Sequence, residues 1–136
     1  AIGVEPSLAG RRGSKELGIA VVHGAFDDQT PLDGPFDLVI ASEVLEHVPD
    51  PLAFLRAARA ILADGGELRL TTPAREIVAR GSHDDLLREA LSPGYHCHVT
   101  SENGLEILLA RAGFVDARVR CDGGTLYASV GAGTSL

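Results

Sequence analysis

Glu43, Glu46 and His47 stand at positions i, i+3 and i+4 of one short stretch. On a helical turn that spacing brings two carboxylates and an imidazole to one face, which is metal-ligand geometry. His96 and His98 flank Cys97 further on, and either can add a ligand to such a group. A neutral histidine can also take the proton of an acceptor hydroxyl. His47, His96 and His98 are therefore candidate general bases, the alternative for the last two being ordinary loop residues. His23 reads as structural at a strand end, and His83, beside Asp84 and Asp85, as a solvated loop residue. A separate carboxylate, Glu5, precedes Pro6. At the carboxyl end of a strand in a doubly wound sheet, an acidic residue accepts hydrogen bonds from ribose hydroxyls, and a carboxylate can serve both hydroxyls at once. The alternative is that Glu5 caps the helix that follows, where the helix dipole favours an anion.

These groups need elements to place them. Short apolar strands alternate with helical stretches, which predicts an α/β fold with a mostly parallel, Rossmann-like sheet flanked by helices. A strand over residues 2–5 leads to a helix over 7–17 with Gly18 as its stop, then a strand over 19–23. The run Leu38-Val39-Ile40-Ala41 does not alternate, so residues 36–42 are expected to form the central strand, covered by helices on both faces. Asp50-Pro51 starts a helix whose Leu52, Leu55, Ala58 and Leu62 share a face, and Gly65-Gly66 supplies its left-handed stop. The next strand spans residues 67–72 and ends at Pro73. A less regular region follows, with a short helix over residues 84–90. Thr100 or Ser101 caps a helix with Leu105, Leu108, Leu109 and Ala112 on one face and Gly113 at its end. Strands over residues 117–121 and 125–130 flank Asp122-Gly123-Gly124, a tight hairpin signal that closes the sheet antiparallel. The tail from Gly131 to Leu136 is expected to fray.

From Phe36 to Pro51 the chain reads Phe-Asp-Leu-Val-Ile-Ala-Ser-Glu-Val-Leu-Glu-His-Val-Pro-Asp-Pro. This stretch closely resembles the class I S-adenosylmethionine-dependent methyltransferases, particularly the small-molecule branch with Leu-Glu-His-Val and Asp-Pro after a strand end. Leu55, Leu62, Gly65, Gly66, Leu68, Leu70, Thr72 and Pro73 match that family's next segment, and residues 3–7 match the end of its second strand. Thr100-Ser101-Glu102, with Leu105, Leu108, Leu109, Ala112, Gly113 and Phe114, completes the series. The motifs occur in the family's order over essentially the whole chain.

The resemblance implies S-adenosylmethionine as cofactor and methyl transfer to a small-molecule acceptor, without identifying that acceptor. Glu5 would bind the ribose hydroxyls. Residues 24–28 would flank the adenine, with the Phe26 amide facing a ring nitrogen. Many relatives carry an aspartate where this chain has Ala25, and Asp27 is the residue able to replace it. Ala41 and Ser42 would lie beside the methionine part and the transferring methyl; the alternative for Ser42 is a strand-end hydroxyl bonded to backbone. Some relatives, the ubiquinone-pathway O-methyltransferases and small-RNA 2′-O-methyltransferases, hold a divalent ion with a similar Glu-x-x-Glu-His string. In metal-free relatives the same residues stabilise the turn, so no metal is assigned, and Glu43, Glu46 and His47 remain the residues that would form such a site.

The family's glycine-rich loop has no counterpart here. With no methionine in the chain and an opening that reads as mid-strand, we expect one methyltransferase domain over residues 1–136, incomplete at its N-terminus, whose first strand and loop lie upstream and without which these residues bind the cofactor poorly. Two other classes compete: a non-catalytic methyltransferase-like module acting through a partner, supported by the absent loop, and a nicotinamide-dependent Rossmann enzyme, disfavoured by the 36–51 stretch and the terminal hairpin. The bulk properties narrow the field. The 136 residues are 45% apolar, enough for a real core, and the net charge is −7. An acidic chain whose only lysine is Lys15 argues against a dedicated nucleic-acid or membrane-surface binder. The widely separated Cys97 and Cys121 read as free thiols of a cytoplasmic protein. No apolar run nears the roughly 20 residues of a membrane span. Nothing in the sequence sets the oligomeric state.

Overall fold

The computed structural model describes residues 1–79 and 84–133. The chain divides into two compact units, Ala1–Asp33 and Gly34–Leu136. His83 and the last three tail residues lie outside the described residues.

In the first unit, strand β1 (Ile2–Glu5) pairs in parallel with β2 (Ala20–His23), Glu5 standing opposite His23. Helix α1 (Leu8–Leu17) connects them. Ser7 caps it, its hydroxyl accepting from the Ala9 amide at 3.2 Å, so one orphan donor of the first turn is satisfied. Gly18 ends it in the left-handed conformation, φ 67°. Gly10 lets the helix pass close over β1: a Cβ there would lie 2.6 Å from Cγ of Glu5. The Glu5 side chain and this helix are therefore fitted to each other.

The second unit is built on a four-stranded sheet in the order β3-β4-β6-β5, from β3 (Phe36–Ser42), β4 (Leu62–Pro73), β5 (Val115–Asp122) and β6 (Thr125–Gly131). β3 and β4 are parallel, and β6 is antiparallel to both of its neighbours. Gly123 and Gly124 make the two-residue hairpin turn with φ 57° and 92°, both in the region that glycine enters without cost. Helix α2 (Pro51–Ala60) has proline at its first position, and Asp50 accepts from the Ala53 amide at 2.9 Å. Helix α5 (Glu102–Arg111) is capped by Ser101. Two short helices, α3 (Arg75–Ala79) and α4 (Asp84–Leu91), occupy the less regular region. The core alternates along the strands as a half-covered sheet requires: Leu68, Leu70, Leu126, Ala128 and Val130 turn inward, against Phe54, Leu55, Leu105 and Leu109 of the helices. Both cysteines are free. Among the described residues no helix is long and apolar enough to cross a membrane.

Four expectations need correction. β4 begins at Leu62, not at residue 67, and Leu62 pairs with Phe36 rather than extending the helical face. Helix α2 stops at Ala60 because the following chain is drawn into the ladder, the Phe36 amide donating to Ile61 O at 2.9 Å. Gly65, at φ 75°, then sits in an irregularity of that strand, between the Phe36 and Leu38 pairings. β3 is an edge strand of its sheet, with Ile40 69% exposed, so the apolar run is not covered on both faces. The tail is ordered as far as Gly133: Ala132 is buried, its amide donates to Gly66 O, and Gly133 O accepts from Gly65. The less regular region also holds a second helix, α3, that the pattern did not signal.

Candidate functional site

The site in the second unit is assembled where β3 and β4 end. Successive side chains of a strand face opposite ways, and the neighbouring threonines of β4 use this to grip one turn at two points. The Thr71 hydroxyl lies 3.0 Å from that of Ser42 and 3.3 Å from the Glu43 amide, which also donates to Thr71 O. The Thr72 hydroxyl points inward and donates to Oε2 of Glu46 at 2.9 Å. Between these anchors the chain turns sharply. Glu43 takes φ 50°, a left-handed conformation that a non-glycine residue holds only when its surroundings impose it. Residues Leu45–His47 then form one 3₁₀ turn.

Glu46 is 1% exposed, and a carboxylate so far from water requires hydrogen bonds or a cation. One oxygen has the Thr72 hydroxyl; the other lies 3.8 Å from Nε2 of His47. Nδ1 of His47 is 3.1 Å from the Tyr95 carbonyl oxygen. A carbonyl only accepts, so Nδ1 carries a proton, and in the neutral form of the ring Nε2 holds the lone pair. The loop bearing Tyr95 is fastened to the turn again by the Cys97 amide, which donates to Glu46 O at 2.7 Å, and by the Cys97 thiol toward His47 O at 3.5 Å. His96 thereby comes edge-on to His47, with ring centroids 4.8 Å apart.

These groups border a cavity of about 490 Å³, closed on other sides by Pro73, Ile77 and the hairpin turn. The turn is held there by the Ala74 amide, which donates to Gly124 O at 2.8 Å. Ile77 lies where a side chain on Gly124 would stand, so no larger residue fits at that position.

The candidate residues separate accordingly. One ligand atom from each of Glu46, His47 and His96 falls within a 4.8 Å cluster, a grouping able to hold a cation or pass a proton. Glu43 lines the cavity but is not in that cluster, because the chain turns at φ 50° and never forms the α-helical face that the spacing suggested. His98 stands apart from His96: burial pushes its pKa down, opposed by a hydrogen bond with the Leu45 backbone, with the neighbouring His96 adding to the lowering. Its Nε2 is buried without a partner among the described residues. Ala41 is buried at the end of β3, and the Ser42 hydroxyl is taken up by Thr71. Thr72, Tyr95 and the hairpin glycines were not signalled as site residues. The Glu46–Thr72 bond spans 26 positions, beyond any local pattern.

In the first unit, Oε1 of Glu5 accepts from the Ser7 amide at 2.7 Å, which fixes the carboxylate at the end of β1. Hydrogen bonds from the Ser7 side chain and backbone hold its pKa below the usual carboxylate range, with a small contribution from His23. Downstream, Oδ1 of Asp27 accepts from the Gln29 amide and the Thr30 hydroxyl at 2.9 and 3.1 Å, and the Ala25 carbonyl accepts from the same hydroxyl. This folds residues 25–30 into a tight turn with Phe26 inside it.

Parallel β-α units, a sheet that ends in an antiparallel hairpin and charged groups gathered beyond the strand ends are features of a Rossmann-like fold. Residues 1–119 match the family model described as methyltransferase domain, and the chain belongs to that family. Among curated relatives, the ubiquinone biosynthesis O-methyltransferase of Pseudomonas aeruginosa (strain LESB58) is 29% identical over 125 residues, covering 78% of this chain and 53% of its own length. The enzyme of the same name from Xanthomonas euvesicatoria is 42% identical over 77 residues, 53% of this chain and 32% of its own. The chain thus spans about half the length of the first of these. Among solved structures, a methyltransferase of Thermotoga maritima, described as a possible histamine N-methyltransferase, superposes with a TM-score of 0.78 at 23% identity, covering 96% of this chain and 72% of that one. Human N-acetylserotonin methyltransferase in complex with S-adenosylmethionine gives 0.75 at 18%, covering 98% and 40%.

Proposed function

We propose that the protein transfers a methyl group from S-adenosylmethionine to a hydroxyl of a small-molecule acceptor seated in the 490 Å³ cavity. The observation that carries this reading is His47: Tyr95 fixes its tautomer, and Nε2 is left basic beside Glu46 at the cavity wall. The names of the curated relatives, O-methyltransferases of ubiquinone biosynthesis, support oxygen as the atom methylated. Bound S-adenosylmethionine would supply a methyl already activated by the sulfonium, so the protein's share is placement, exclusion of water and proton removal. Glu5, fixed at the end of β1 by the Ser7 amide, would take the ribose hydroxyls. Phe26 and Asp27 would flank the adenine, Ala25 leaving its amino group to Asp27, and Ala41 and Ser42 would border the methionine part. Incubation with methyl-labelled S-adenosylmethionine and a panel of phenols, alcohols and amines tests the reading. Label in hydroxyl acceptors only supports it; label in amines only, or cofactor binding without transfer to any acceptor, overturns it, the latter in favour of a non-catalytic module.

Gly10 gives a further check. Gly10→Ala is expected to weaken S-adenosylmethionine binding by about tenfold, since its methyl group would displace the Glu5 side chain that the helix packs against. Isothermal titration measures this, and an unchanged dissociation constant removes Glu5 from the cofactor site.

A second reading is favoured by the cluster of ligand atoms: Glu46, His47 and His96 hold a divalent cation that polarises the acceptor hydroxyl. The donor set fits, because the buried carboxylate and the Nε2 lone pair converge with no cationic side chain between them among the described residues. Titration with Mn²⁺ or Co²⁺, and transfer assayed with and without chelator, separates ion-assisted from direct proton removal.

A further inference from the structure

Metal-binding carboxylates and imidazoles hold their geometry through partners one shell further out. His47 has such a partner in the Tyr95 carbonyl. Glu46 has one in Thr72, whose hydroxyl binds Oε2 at 2.9 Å while Oε1 lies 3.8 Å from Nε2 of His47. Thr72 is 2% exposed and is held in the β4–β6 ladder, paired with Leu126 one step before the hairpin turn, which fixes its Cβ. One bond thus holds the carboxylate in the orientation that offers an oxygen to the histidines. Swung away, the carboxylate would leave only the imidazoles of His47 and His96, a weaker set for a hard divalent ion.

We infer that Thr72 is a positioning residue: it aims the Glu46 carboxylate so that Oε1, together with His47 and His96, binds a divalent cation. This rests on the cation reading above and adds to it a residue that touches neither ion nor substrate. In the ligand group itself every member offers an atom to the ion. Thr72 acts only through Glu46.

The test is calorimetric titration of the protein with Mn²⁺ and Co²⁺, with circular dichroism to follow the fold. Wild type is expected to bind. Thr72→Val keeps the shape and removes the hydroxyl, and is expected to weaken binding about 10–100-fold. Thr72→Ser restores the donor and should stay within about threefold of wild type. In a Glu46→Gln background, Thr72→Val should cause no further loss, since the two residues act as one unit. A merely structural threonine would weaken binding in both backgrounds alike. If Thr72→Val loses its fold, Thr72→Ala, which adds no atom, carries the comparison. Equal affinity of the Thr72→Val and wild-type proteins overturns the role of Thr72 and leaves the cation reading standing. Absence of binding by wild type overturns the cation reading and this role with it.

Discussion

His47→Ala is expected to lower the rate of methyl transfer by about 10²–10⁴-fold while the affinity for S-adenosylmethionine stays within a factor of two, the span for removal of a positioned acid–base group. The expectation follows from where the side chain is held. Its Nδ1 is committed to the Tyr95 carbonyl, so one tautomer dominates and Nε2 is ready to accept a proton or a ligand bond at the cavity wall. Its hydrogen-bond and charge partners, Tyr95 and Glu46, are not among the residues proposed for the cofactor. The loss should therefore fall on turnover and not on cofactor binding. His47→Gln is informative beside it, because an amide can still donate to the Tyr95 carbonyl yet offers no basic nitrogen; it should be as impaired as alanine. Single-turnover transfer to the best hydroxyl acceptor, with calorimetric titration of the cofactor, reads both quantities. A His47→Ala protein with wild-type turnover would remove His47 from the chemistry.

Leu55→Ala is expected to lower stability by about 3 kcal/mol, within the 2–5 kcal/mol span of such core truncations, and the melting temperature by roughly 10–20 °C. Leu55 has no exposed surface and lies on the inward side of α2, beside Phe54 and Ala58. Its neighbours are anchored: α2 is fixed at its start by Asp50 and Pro51, and Leu68 and Leu70 belong to a strand paired on both sides. Such surroundings cannot close over the lost methyl groups, so the cost includes a cavity left behind as well as the lost transfer of the methyl groups. Thermal unfolding followed by circular dichroism measures it. A shift under a few degrees would mean that the core beneath α2 collapses to fill the space.

Much of this could be read in the sequence where the signal was local. Ser7 and Gly18 bounded α1, Asp50-Pro51 opened α2, and Gly123-Gly124 marked the hairpin turn, because each works through its immediate neighbours along the chain. Leu62 misled because it continues the helical spacing of Leu55 and Ala58, while the force that ends the helix is a ladder bond from Phe36, far away in sequence. Continuous apolar character in β3 suggested cover on both faces, yet pairing within the second unit places that strand at an edge. At the site, the spacing of Glu46 and His47 was visible and their neighbours in space were not. His96 and His98 are alike in sequence. Only the fastening of Cys97 to the turn decides that one faces the cavity and the other is buried against the Leu45 backbone.

The paired threonines of β4 have one more consequence. Thr71 holds the start of the turn and Thr72 its buried carboxylate, on opposite sides of one strand. A slip of one residue in the β3–β4 register would exchange the two faces, setting Thr72 against Ser42 and Pro73, which has no donor, where Glu46 needs one. Misaligned sheets would then carry an uncompensated buried carboxylate and fall in stability as well as in function. Strand alignment is thus proofread by the very group that the alignment serves, so a chain that has folded correctly has also set its histidines.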